Sequence, residues 1–413
     1  MIQRIFHLDF SRVDDRNAWY LVAEIFFASI LAAATNFNGA YVVRLGATNT
    51  EIGLLTSIPA LLAVFLAIPA GRFLEKLSRR KPRLLASLII YRFGFVLLAL
   101  VPWLGIHFIQ PGTLAVSVLI VMYTPVIFFN VGFTAMLADI IPPERRVSIF
   151  TARNAISSAM VSVCVFLFGQ FLSRGKFPSN YQLLFIFGFT ASLLSHYNLT
   201  KLHVPDSIVK SPSFPGKRSI RQRWDSLILI FSAEPAFVRI TLNTFIYSMG
   251  MWVATPLYII HYVRELRATD AWLGTLGTIA SLSVLIGYAI WRWLIPRLGQ
   301  ALTIKVTFMT MGLLPLMIGL SPSLTYILFA VALNGLLSPG ASLTQLTMLL
   351  KSIPEASRPQ YTAIYTAIIN GGVFIFPLLG VALAGKFGIA HTLIACGLVA
   401  ILGACSFWVW PVE

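Results

Sequence analysis

Ionisable side chains inside long apolar stretches are where this sequence could do chemistry, because each costs at least about 2.5–3.5 kcal/mol near the centre of a bilayer on insertion scales. There are few. Glu24 and Arg92 each lie about two helical turns into an apolar run, a comparable depth at which the two can meet, while Asp139 and Arg153 fall at the borders of such runs. A carboxylate and a guanidinium so placed read two ways: as a structural ion pair, or with Glu24 as a group that exchanges a proton or another coupling ion, or contacts a substrate. The uncharged polar residues in the same stretches are Asn36, Asn38, Asn130, Asn243, Tyr247, Asn334, Gln345 and Asn370. Each either contacts a polar solute or holds helices together at about 0.6–2 kcal/mol. Trp252 and Tyr258 either stack on a solute or anchor a membrane interface. An enzyme needs a convergent acid, base or metal set, and the sequence offers only scattered histidines: His7, His107, His196, His203, His261 and His391. The three cysteines, Cys164, Cys396 and Cys405, fall inside apolar runs, where packing is the expected role. No catalytic residue, metal or cofactor is expected.

The elements that must position these residues are membrane spans. With 57% hydrophobic and 11% charged residues and a mean hydropathy of +0.81, the chain carries more apolar side chain than a water-soluble core absorbs. Stretches of about 20 apolar residues, the length that crosses roughly 30 Å of hydrocarbon, recur twelve times: 18–43, 50–72, 84–106, 112–138, 148–172, 181–201, 236–263, 271–295, 302–320, 323–350, 359–385 and 388–410. Asp9, Arg12, Asp14, Asp15 and Arg16 interrupt any signal-like apolar run, so the first span is expected to be retained.

The net charge of +16 would suggest nucleic acid in a soluble protein, but the positions of the 31 Lys and Arg residues decide otherwise. With the N-terminus assigned to the cytoplasm, 24 fall in cytoplasmic segments and 6 on the opposite side. The positive-inside rule then puts both termini in the cytoplasm. Short loops suit the plasma (inner) membrane of a bacterium or archaeon. The expected partners are a small-molecule substrate, protons or another coupling ion, and membrane lipids, with no nucleic acid, and the chain is expected to be a monomer.

A polar stretch with five basic residues and three prolines between Leu202 and Pro235 divides six spans from six. This reading gives a six-helix bundle over 1–201, a basic linker over 202–235 and a second bundle over 236–413, with a short interfacial helix expected over 218–231. Sliding the chain by 221 positions aligns 41–55 with 262–276, and seven of fifteen positions agree: Tyr41, Val42, Leu45, Ala47, Thr48, Gly53 and Leu55. The turn at 141–146 is echoed at 352–358. Tandem duplication accounts for both matches. Six spans per repeat make the repeats parallel, related by an axis along the membrane normal.

The loop after the second span reads Gly71-Arg72-Phe73-Leu74-Glu75-Lys76-Leu77-Ser78-Arg79-Arg80. It resembles the signature loop of the major facilitator superfamily, G-x-x-x-D-R-x-G-R-R, with Glu75 for the aspartate, Lys76 for the arginine and Ser78 for the second glycine. The resemblance implies an all-α, twelve-span fold in two parallel six-helix repeats and transport by alternating access. It also implies a gating loop of Gly71, Glu75, Lys76, Arg79 and Arg80. In it Gly71 admits a neighbouring helix, and Glu75 meets the start of the eleventh span near Ser357 and Pro359. Spans 1, 4, 7 and 10 line the cavity in that family, which singles out Asn130, Asn243, Tyr247 and Asn334. Phe128-Phe129-Asn130-Val131-Gly132 lacks the arginine of the family's proton-coupled drug exporters. So few buried charges favour a neutral or amphipathic solute over a strongly ionic one. A lipid scramblase and a non-transporting sensor on the same scaffold are the rival readings.

Overall fold

The computed structural model describes residues 10–412 apart from 76, 78, 105–108, 205–233, 322 and 355–357. The expected interfacial helix in the linker therefore lies outside the described residues, as do Lys76 and Ser357. The side chains of Glu75, Asp139 and Pro359 are likewise not described.

Among the described residues the chain forms thirteen α-helices and no strand. The first seven are α1 (Val13–Thr35), α2 (Asn38–Arg44), α3 (Asn49–Glu75), α4 (Lys81–Leu104), α5 (Pro111–Ile140), α6 (Pro143–Arg174) and α7 (Ser179–Lys201). After the linker come α8 (Pro235–Ile260), α9 (Asp270–Leu298), α10 (Gln300–Gly319), α11 (Leu324–Lys351), α12 (Arg358–Phe387) and α13 (Ile389–Val409). A π-helical turn, His261–Glu265, follows α8. Pro111, Pro143 and Pro235 stand in the first turns of α5, α6 and α8, where a missing N–H costs nothing and the fixed φ suits the helix.

Two of the expected spans have features the sequence reading did not include. The first expected span is two helices, interrupted at Asn36 and Phe37. Eleven segments, with α1 and α2 counted together, are long and apolar enough to cross a membrane, and α8 is the helix this count leaves out. It is 26 residues long. Thr241, Asn243, Thr244, Tyr247, Ser248 and Thr255 are spread along it, although its average apolarity is not below that of α1 or α7.

The repeat found in the sequence has a structural counterpart. Thr48 and Glu51 form a capping box at the start of α3: Thr48 N donates to Glu51 Oε2 at 2.6 Å and Glu51 N to Thr48 Oγ1 at 3.2 Å. Their equivalents after the linker keep half of it, with Trp272 N donating to Thr269 Oγ1 at 3.2 Å. The turn just before each cap uses a left-handed residue, Gly46 at φ 87° and Arg267 at φ 49°.

The helices cluster into two compact units, one of residues 1–51, 62–213 and 269–278, the other of 52–61, 214–268 and 279–413. In the first, α1 packs on α6 and α7, and α4 on α5 and α7. Tyr41 stacks on Tyr181 at 5.2 Å and donates from its hydroxyl to Leu98 O at 2.8 Å. One end is tied by polar contacts. The Asn17 side-chain amide donates to His203 O at 2.9 Å and accepts from His203 N at 2.8 Å, Lys81 Nζ donates to Thr200 O and Leu202 O, and Arg145 pairs with Asp15. In the second unit α8 packs on α12 and α13, and α10 on α11 and α13. Its core joins Phe237, Ile240, Tyr247, Phe308, Tyr361 and Phe407.

Candidate functional site

The charges inside the first unit form one network. Glu24 on α1, Arg92 on α4 and Arg153 on α6 are all buried, at 5%, 3% and 7% exposure. Glu24 Oε2 is 2.8 Å from Arg153 Nη2, and Arg153 also donates to Leu21 O. Ser195 of α7 links the second arginine, donating to Glu24 Oε1 at 3.1 Å and accepting from Arg92 Nη2 at 2.6 Å. Arg92 Nη1 is held by Ser192 O at 2.6 Å. The expected direct pairing of Glu24 with Arg92 is thus corrected: the ion pair is Glu24 with Arg153, and Arg92 stands one hydroxyl away. Arg153 lies near the start of the membrane-crossing stretch of α6, Ser148–Arg174, on a helix that begins earlier at Pro143. Three of these charges sum to one excess positive charge in a buried place, tolerable only because every member is hydrogen-bonded.

A second polar cluster in the same unit was not foreseen. Asp270, the first residue of α9 and 6% exposed, accepts from Arg44 Nη2 at 3.1 Å and from the Tyr181 hydroxyl at 2.5 Å through Oδ1. Its position at the expected edge of a span hid it, since a helix-starting aspartate is ordinarily a solvated first-turn residue.

The remaining expected residues scatter. Asn36 is exposed and donates to Ala32 O and Ala33 O of its own helix. Asn38 follows the break, its Oδ1 buried without a hydrogen-bond partner among the described residues. Asn130 is exposed on α5. Among the described residues, an added Cβ at Gly71 would meet Val131 Cγ1 at 3.9 Å, an ordinary contact rather than a close helix approach. Arg80 Nε donates to Leu74 O at 3.0 Å and caps the end of α3, and Arg79 is exposed.

The second unit gathers polar and aromatic groups on α8, α11 and α12 with no buried charge network among its described spans. Asn243 is fully buried and donates to Trp410 O at 2.9 Å, pinning the end of α13. Tyr247 stacks on Phe308 at 4.1 Å within the core. The Asn243 Oδ1, Tyr247 hydroxyl and Asn334 Oδ1 are buried without a hydrogen-bond partner among the described residues. Gln345 donates to the Tyr365 hydroxyl at 2.5 Å. Trp252 is half-buried, lies over Gly372 and stacks on Phe376 at 6.1 Å. Asn370 bonds only its own helix, at Thr366 O. No group of three or more metal-ligating residues occurs among the described residues.

Helices with this many apolar spans and two sequence repeats define a polytopic α-helical membrane protein. The family model described as Major Facilitator Superfamily matches residues 20–242 and again 240–413, and the chain belongs to that family. Among solved structures it is similar to the nucleoside transporter NupG (13% identity, TM-score 0.64, covering 95% of this chain and 98% of that one). It is also similar to a POT family transporter in complex with a thioalcohol-conjugated peptide (16%, 0.67, 95% and 96%). A bacterial metal transporter matches as well (13%, 0.69, 97% and 98%). Among curated proteins no sequence match is found.

Proposed function

We propose that the chain is a secondary active transporter that carries a small neutral or amphipathic organic solute across the plasma (inner) membrane by alternating access, with both termini cytoplasmic. The observation that carries the solute class is the division of polarity. Charge within the spans of the first unit is already satisfied by Arg153, Ser195 and Ser192, whereas the polar groups on α8 and its neighbours are amides, hydroxyls and rings. A multiply charged solute would need unsatisfied counter-charge in the spans. The structural neighbours are a nucleoside transporter, a metal transporter and a POT family transporter in complex with a conjugated peptide, so the fold alone selects no substrate.

The test is thermal unfolding of the detergent-purified protein against a broad solute panel at two pH values. A ligand at about 100 times its dissociation constant stabilises by about 2.7 kcal/mol. Saturable flux of the stabilising solute in proteoliposomes completes the case, and saturable transport of a multiply charged anion refutes the solute class. Lipid movement is the second reading. It is favoured by an apolar groove of about 590 Å³ between α4 and α5, lined by Ile90, Phe93, Leu97, Val121 and Pro125. Flux that depends on lipid headgroup and ignores every solute would select it.

A further inference from the structure

The apolar groove between α4 and α5 has an arginine at one end and no Lys or Arg at the other. Arg83, Ala86, Ile90, Phe93 and Leu97 recur at spacings of three and four and are all exposed, so they form one outward face of α4. Val118, Val121 and Pro125 of α5 make the opposite wall, and Val121 is 70% exposed. The two helices approach closely beneath it: a Cβ added to Gly94 would collide with the Met122 side chain. From Ile89 to Leu97 the groove follows α4 for about 12 Å. Half of a hydrocarbon core is about 15 Å, so the groove fits within one leaflet.

Arg83 precedes Ile89 on the same helix by about 9 Å. Its guanidinium lies over the Phe73 ring of α3 at 5.9 Å, and Phe73 packs on Phe128 of α5 at 5.8 Å, so two rings close that end of the groove and seat the charge at its mouth. The neighbouring cations are engaged by backbone: Arg80 Nε donates to Leu74 O, and Lys81 Nζ to Thr200 O and Leu202 O. Arg83 is exposed, and among the described residues no carboxylate pairs with it. After Arg92 the sequence has no Lys or Arg until Arg145, so neither helix offers a cation at the far end. An apolar trough one leaflet long with a single guanidinium at its mouth complements a hydrocarbon tail joined to a phosphate.

We propose that α4 and α5 hold one resident phospholipid of net negative charge, an acyl chain lying along Ile90, Phe93, Leu97 and Val121 and the phosphate on Arg83. Both helices are long and apolar enough to cross a membrane, which puts this face in hydrocarbon. A net negative headgroup is preferred because the charge of Arg83 meets no carboxylate, and a zwitterionic headgroup would bring its own cation beside the guanidinium. The lipid is a bound component and not a cargo, since nothing at the far end of the groove receives a headgroup. Such binding requires a membrane but no particular solute, so it stands or falls apart from the transport reading.

The test is native mass spectrometry of the detergent-purified full chain titrated with dioleoylphosphatidylglycerol or dioleoylphosphatidylcholine. In the parent chain the first phosphatidylglycerol should bind several-fold more tightly than the first phosphatidylcholine. Arg83→Gln should abolish that preference, and Val121→Trp or Leu97→Trp, each filling the trough, should weaken the first binding of both lipids several-fold. All three positions are on the surface, and an unfolding midpoint equal to the parent's shows that the variants fold. Arg16→Gln, which removes an exposed arginine of α1, should change neither affinity. Undiminished lipid binding in both tryptophan variants, or an undiminished preference in Arg83→Gln, overturns the proposal. So does a dimer that Val121→Trp dissociates, which would give this face to a second copy of the chain.

Discussion

At the scale of single residues, Arg153 has the largest expected effect. Removing one partner of a buried ion pair costs about 3–5 kcal/mol because the other charge is left uncompensated. Arg153→Met should accordingly lower the thermal unfolding midpoint sharply, and adding Glu24→Gln should recover part of the loss. A midpoint no lower than that of the parent would contradict the network. The sequence pointed to Glu24 and Arg92 by their depth and placed Arg153 near the start of a span, where Ser148–Arg174 has it. That Arg153 rather than Arg92 pairs with Glu24 was not legible, because depth alone does not say which helices are neighbours. Arg267 makes a separate prediction. It holds φ 49° where the first repeat has Gly46 at φ 87°, and a left-handed non-glycine residue costs roughly 1–2 kcal/mol. Arg267→Gly should raise stability by about 1 kcal/mol, less the entropy glycine loses on folding; a lower midpoint would show that the arginine side chain does more than tolerate the turn.

At the scale of elements, α8 carries the argument. It is held by contacts its sequence cannot forecast: Asn243 reaches the end of α13, and Tyr247 packs face to face on Phe308. Existence and approximate length of the helices were legible because apolar runs of span length leave few alternatives. The break at Asn36 and Phe37 was not, since nothing there departs from an apolar helix except two asparagines. Which asparagines face a solute was also not legible, because an amide that pins a neighbouring helix and one that meets a ligand have the same residue type and depth. The two roles separate by mutation. Asn243→Ala should cost about 0.6–2 kcal/mol of stability by releasing the Trp410 carbonyl. Tyr247→Phe removes a buried hydroxyl without a partner and should leave stability unchanged or slightly raised; if it also abolishes flux while the unfolding midpoint holds, Tyr247 touches the solute.

At the scale of the whole molecule, duplication was legible in fifteen aligned positions and reappears as matched caps and matched left-handed turns. The boundaries of the compact units were not, because chain order gives no hint that 52–61 and 269–278 cluster away from their sequence neighbours. That assignment bears on how the protein is made. A ribosome that has finished Ser213 has not yet supplied the last ten residues of the first unit, which arrive only after the linker and all of α8. The nascent first unit must therefore wait in the membrane, incomplete, with Arg44 and Tyr181 facing a carboxylate still to be synthesised. A fragment of residues 1–213 should accordingly be degraded faster when synthesised alone than beside a fragment of 214–413, and pulse-chase labelling of the two cases measures the difference.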